Sequence, residues 1–234
     1  MYNSIKIGVI KMFDKEIDMQ KLFITQLKDK LKTNELIYEE FNGRFGDADV
    51  VKVKLNNYNL ISLKQMEILK DYQCAKITGY LHKQQSHSIK YLMDKTDYTY
   101  TNVIAIINKL KKENIVTTDN KGMFLINKDF EFPNIEFTSF ELKLKNWKNA
   151  ITQANKNKNF SSSSYIAVPM DLAIKLYKKE KNIFVLYNVG LVGIDGKGYK
   201  TFFKPKIEKN KTSKNPTYIS SLAKIVFNEK EQII

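Results

Sequence analysis

The chain has 234 residues, a formal charge of +14 and one cysteine. One cysteine excludes a disulfide framework and a cysteine-cluster zinc site, and an apolar share of 43% argues against disorder over most of the chain. No apolar run is long enough to cross a bilayer and no leader pattern opens the chain, so a soluble, cytoplasmic protein with no membrane partner is expected.

The charge is unevenly spread. Residues 1–140 hold 21 Lys and Arg against 18 Asp and Glu, whereas residues 141–234 hold 18 Lys against 7 acids. An AT-rich genome would enrich lysine in both parts. A localised excess instead fits a polyanion, because clustered lysines displace the counterions of a phosphate backbone. The expected partner is a nucleic acid.

In chain order, SIKIGVIKMF suits a strand or a helix. Ile17, Leu22, Phe23, Leu27 and Leu31 recur at a spacing that predicts a helix within 14–32. ELIYEEF and DADVVKVKL flank NGRFG and predict a β-hairpin. Residues 61–81 are helical in character, and SHSIKYLMDKT opens on capping residues and predicts a short helix. DYTYTN reads as a turn. Val103, Ile106, Ile107 and Leu110 then form the apolar stripe of another helix. IVTT and MFLI around DNKG predict a small hairpin. Helix, helix, turn, helix, hairpin is the order of a winged helix-turn-helix, which this segment resembles. Tyr98, Thr99, Tyr100, Thr101 and Asn102 would open its recognition helix, binding DNA or, in a scaffold role, protein.

Strand character returns with IEFTSFELKLK. NWKNAITQANKNK predicts a helix, SYIAVP a strand and MDLAIKLYKKEK a helix. NVGLVGID and YKTFFKPK are two strands about the turn Asp195-Gly-Lys-Gly198. Lys206 to Lys214 reads as a loose basic tail, and Tyr218 to Phe227 as a last helix.

Chemistry concentrates at Phe140-Glu141-Leu142-Lys143-Leu144-Lys145. In a strand, Glu141, Lys143 and Lys145 share one face while Phe140, Leu142 and Leu144 share the other. The next helix carries Trp147, Ala150, Ile151 and Ala154 on its apolar stripe, with Gln153 beside it. ELKLKNWKNAITQA, followed by YIAVP and GLVGID, resembles the core of the PD-(D/E)XK, or restriction-endonuclease-like, nucleases. The acid of the preceding strand would be Asp49, within Gly46-Asp47-Ala48-Asp49-Val50-Val51. Two departures stand out. Asp49 and Glu141 are separated by 91 residues, nearly all of them the winged-helix segment, and no proline precedes Asp49, which makes Asp47 a rival.

The resemblance implies an α/β fold: a restriction-endonuclease-like mixed sheet flanked by helices and interrupted by a winged-helix insertion. Residues 1–58 and 130–234 would form the nuclease-like domain, and residues 59–129 the insertion. The implied activity is Mg²⁺-dependent hydrolysis of DNA, with Mn²⁺ as substitute, in restriction, phage defence or mobile-element processing. Asp49, Glu141 and the main-chain carbonyl of Leu142 would hold the metal, with Asp47 as the rival or companion of Asp49, and Glu16, Glu39 or Glu40 would complete a second position. Lys143 would activate water and stabilise negative charge, and Gln153 would orient water or touch phosphate. Lys145, Lys148, Lys156 and Lys158 would grip the DNA backbone. A homodimer or a protein partner at the winged helix is compatible with this scheme. The rivals are a non-catalytic DNA-binding regulator and a protein-binding scaffold on a decayed nuclease fold.

Other sites have bland readings. Glu141 and Lys143 would, as a solvated ion pair, contribute little. Trp147 suits a core anchor. His82 and His87 lack partner ligands for a metal, and Cys74 reads as a small core residue. No P-loop, dinucleotide glycine motif or nucleophile elbow occurs, so no nucleotide cofactor is expected.

Overall fold

The computed structural model describes residues 13–56, 61–207 and 215–231. SIKIGVIKMF and most of the basic tail lie outside the described residues, apart from Phe13, Lys206 and Ile207.

The fold is mixed α/β. A six-stranded sheet carries helices on both faces. Strand β1 (Glu35–Asn42) turns back antiparallel into β2 (Asp47–Asn56), as the hairpin pattern predicts. Strand β2 pairs antiparallel with β5 (Asn134–Leu142), although the two are far apart in sequence. Strands β5, β6 (Ser163–Pro169) and β7 (Gly190–Asp195) run parallel, and β8 (Gly198–Phe203) returns antiparallel. Parallel neighbours need crossovers, and helices supply them. Helix α6 (Trp147–Asn157) links β5 to β6, and α7 (Met170–Lys179) with α8 (Lys181–Tyr187) links β6 to β7.

Alternation decides which helix covers which face. In β6, Tyr165 and Ala167 pack with Val50, Phe140 and Leu142 beneath helix α1 (Glu16–Lys28). Ile166 and Val168 point the other way, against Ala150, Ile151 and Ala154 of α6 and Leu176 of α7. The α1 face is made by Met19, Phe23, Ile24 and Leu27. Ile17, expected on that face, is 46% exposed.

Between β2 and β5 lie four helices and a hairpin: α2 (Leu63–Lys70), α3 (Tyr72–Tyr80), α4 (Ile89–Thr96), α5 (Tyr100–Lys112), β3 (Val116–Thr118) and β4 (Phe124–Ile126). Caps set their limits. Ser62 and Gln65 form a capping box on α2. Asp71 breaks the stretch 61–81 in two, with an extended backbone and a side chain that accepts from Gln73 N at 2.8 Å. Thr99 caps α5 by accepting from Asn102 N, so the helix starts at Tyr100, within the stretch 98–102 expected to open it, and Tyr100–Asn102 are helical rather than a turn. Helix α8 is likewise new. Glu180 leaves helical geometry after α7, and NIFVLY resumes it.

The last helix, α9 (Pro216–Glu231), is longer than expected. Tyr218, Ile219, Leu222, Ile225 and Val226 are buried in one cluster with Val51, Val53 and Phe137 of the sheet and Met66, Leu69 and Ile77 of α2 and α3. Among the described residues the hydrophobic core therefore runs unbroken from the sheet into the helical segment. No described helix is long and apolar enough to cross a membrane.

Candidate functional site

One position beyond the paired residues Val50 and Phe140, Asp49 and Glu141 stand on neighbouring strands. The pairing of β2 with β5 thus brings together two acids that the chain separates by 91 residues. Asp49 Oδ2 accepts the Leu142 N–H at 2.6 Å, a charge-assisted bond across the two strands. Lys143 Nζ lies 4.0 Å from the same oxygen.

Helix α1 reaches the same edge. Glu16 accepts from Lys143 Nζ at 3.2 Å and from Leu144 N at 3.3 Å. One turn on, Gln20 Nε2 donates to Glu40 Oε1 at 3.0 Å and to the Asp49 carbonyl at 3.2 Å. Glu16 and Glu40 therefore reach the Asp49 edge through Lys143 and Gln20 rather than by direct contact with the carboxyl pair.

Glu141 is 0% exposed. Its Oε1 accepts from Asn157 Nδ2 at 2.5 Å, and its Oε2 is buried with no partner among the described residues. It forms no ion pair with Lys143, so the solvated-pair reading gives way to a buried carboxyl. Burial is the main cause that pushes Glu141 up to about 8, and the charge of Asp49 adds to it. Burial also raises Asp49, while the Leu142 N–H and Lys143 oppose the rise.

Asn157, at the end of α6, is the residue that sequence reading missed. It is wholly buried, and its Nδ2 also reaches the Asp47 carbonyl at 3.4 Å. A hydroxyl network fixes it from behind. Ser161 Oγ donates to the Asn157 carbonyl at 2.9 Å and meets Ser139 Oγ at 2.9 Å, and Ser139 donates to Ser164 at 2.8 Å. The signal in the sequence was the serine run directly after a helix whose last turn carries asparagine, a pairing with no distinctive spacing. Gln20 was missed because one amide among the polar positions of α1 has no pattern of its own.

A cleft of about 300 Å³ opens on the outer side of Asn157, lined by Arg44, Phe45, Gly46, Asp47, Gln153, Lys156 and Asn157. Gln153 and Lys156 thus face Asp47 across a gap rather than the carboxyl pair itself. Gln153 Oε1 accepts from Asn149 at 3.3 Å. Lys145 and Lys148 lie where β5 passes into α6, and Lys148 sits over the Trp147 ring. Lys158 Nζ donates to the Tyr187 carbonyl at 2.7 Å. Tyr98 lies under Lys76 in the helical segment, while Tyr100, Thr101 and Asn102 are exposed at the start of α5.

Trp147 packs against Phe184 in the core of the α6 face. Cys74 is buried, and burial pushes its thiol up to about 11. His87 stacks on Tyr91 with ring centroids 4.1 Å apart. Among the described residues no group of three or more His, Cys, Asp or Glu side chains is gathered for a metal. No protein family, curated protein or solved structure matches this chain.

Proposed function

We propose that the chain is a metal-dependent phosphodiesterase that cleaves DNA, built on a restriction-endonuclease-like sheet. One observation carries the reading. Glu141 is fully buried with an unpartnered oxygen beside Asp49, and Lys143 stands within 4.0 Å of Asp49. A buried carboxyl with an orphaned oxygen is unfavourable unless something compensates it. A hard cation would satisfy that oxygen and offset the repulsion between the two acids.

Asp49 and Glu141, with the Leu142 carbonyl, would hold Mg²⁺ or Mn²⁺. Such an ion neutralises charge on a phosphate and acidifies a bound water. The protein's own groups do the rest. Lys143, tethered by Glu16, offers a cation to the developing negative charge. Asn157 orients Glu141, and its serine network keeps that orientation rigid. Gln20, which donates to Glu40 and to the Asp49 carbonyl, would hold β1 and β2 against α1. Gln153 and Lys156 would meet the phosphate backbone across the cleft. The helical segment and its hairpin would act as a winged helix that docks DNA through the exposed start of α5.

Binding of DNA without cleavage is the second reading. It is favoured by the engagement of Asp49 Oδ2 with Leu142 and of Glu16 with Lys143, which leaves few carboxylate oxygens for a cation. Wild-type protein and Glu141→Gln, incubated with supercoiled plasmid and with single-stranded DNA in Mg²⁺ or Mn²⁺, separate the two. Cleavage by the wild type, lowered about a hundredfold or more in the variant with DNA binding retained, supports the enzyme. Binding without cleavage under either ion makes the second reading the function.

A further inference from the structure

Arg44 is the single arginine among 39 basic residues. It occupies the tip of the β1–β2 hairpin in the left-handed region, at φ 68°. Its guanidinium carbon lies over the Tyr72 ring of α3, 3.9 Å from the centroid. Phe45, next in the chain, meets Tyr72 edge-on at 5.6 Å and is 50% exposed. Among the described residues Arg44 forms no ion pair with a carboxylate. Arg44 is exposed and Phe45 is half open to solvent, so a ligand can reach both.

The tip is also held rigid. Gly43 N bonds the Gly46 carbonyl at 2.9 Å, and the Arg44 N–H bonds Asn42 Oδ1 at 3.0 Å. A Cβ on Gly43 would stand 2.3 Å from the Phe160 ring, and one on Gly46 2.3 Å from Asn157 Oδ1. Both glycines are therefore needed for the loop to lie against α6. That packing presents Arg44 and Phe45 to the cleft that Lys156, Gln153 and Asp47 share. A preorganised ring beside two cations is the arrangement that holds an unpaired nucleotide. The base stacks on the ring, and the cations take the phosphate. In a duplex both faces of each base are already stacked, so Phe45 would gain little from it.

We propose that the hairpin tip is a strand-holding subsite in which an unpaired base stacks on Phe45 against Tyr72 while Arg44 and Lys156 grip the adjoining phosphate. Resting on the nuclease reading above, this makes the substrate class DNA with single-stranded nucleotides next to the scissile bond: a gap, a flap or a free strand.

The test uses Glu141→Gln protein, so that binding is read without cleavage, and two probes of equal length: a single strand carrying 2-aminopurine and its duplex. Phe45→Ala is expected to weaken single-strand binding about tenfold and to abolish 2-aminopurine quenching, with duplex binding changed less than about twofold. Arg44→Ala should lower the slope of log affinity against log salt by about one. Phe45 and Arg44 are exposed, so both variants should fold, as circular dichroism checks. Equal effects of Phe45→Ala on single strand and duplex, or no effect on either, overturn the subsite. Wild-type protein is then assayed for cleavage of flap, gapped and intact duplexes. Quenching that depends on Phe45 without any cleavage sinks the nuclease reading and leaves the subsite standing. Cleavage of intact duplex as fast as flaps, untouched by Phe45→Ala, sinks the subsite alone.

Discussion

Glu141 carries a carboxyl that folding strips of water and then half satisfies. Its upward shift has a definite sign in stability. The folded chain holds the Glu141 proton up to about 8, whereas the unfolded chain releases it near 4.5. Between those values the folded state binds more protons, so stability falls as pH rises through this window. Urea unfolding at pH 5.5 and 8.5 should show the wild type losing a few kcal/mol that Glu141→Gln does not lose. Added Mg²⁺ should restore stability to the wild type at pH 8.5 and leave the variant unchanged, because only the carboxylate gains by binding it. An equal pH response in both proteins would show that Glu141 is not the titrating group. At this scale the sequence disclosed Glu141 through the alternation of β5, and Lys143 through its place two residues on, just past the strand's end. It did not disclose Asn157, because its part depends on where the last turn of α6 meets the sheet.

Elements were legible where local chemistry sets their limits. The β1–β2 hairpin, α6, β6 and β7 follow from period and turn residues. Boundaries decided by a single cap were the least legible. Asp71 divides α2 from α3, and Thr99 starts α5 three residues before its apolar stripe. Thr99→Ala removes that cap and is expected to lower stability by about 1 kcal/mol, seen as a shift in the urea midpoint with no change in slope. Because Tyr100, Thr101 and Asn102 would fray with it, DNA affinity should weaken as well if α5 reads DNA. Unchanged affinity beside the lost stability would favour a protein partner for this helix.

At the scale of the whole molecule, α9 joins what the sequence reading divides. Leu222 is fully buried in the cluster that contains both sheet and helical-segment residues. Leu222→Ala should lower stability by about 2–5 kcal/mol. The shared core also predicts one cooperative transition in wild type, with far-ultraviolet dichroism and Trp147 fluorescence coinciding. Since Trp147 reports only on the α6 face, a second, separate transition by dichroism would mean that the helical segment unfolds independently.

The sequence by itself determined the kinds of element, the alternation around Glu141 and the concentration of basic charge after residue 140, while Asp49 was singled out only by the resemblance to a nuclease core. All but the last depend on period, alternation and composition, which are local properties of a chain. Only the tertiary structure decided that β2 and β5 pair across the long helical segment, that α1 brings Glu16 and Gln20 to their edge, and that Arg44 meets Tyr72. Each of those contacts depends on packing between segments distant in sequence. No local pattern encodes such a meeting, because the free energy that selects it comes from burying surfaces that the chain supplies far apart.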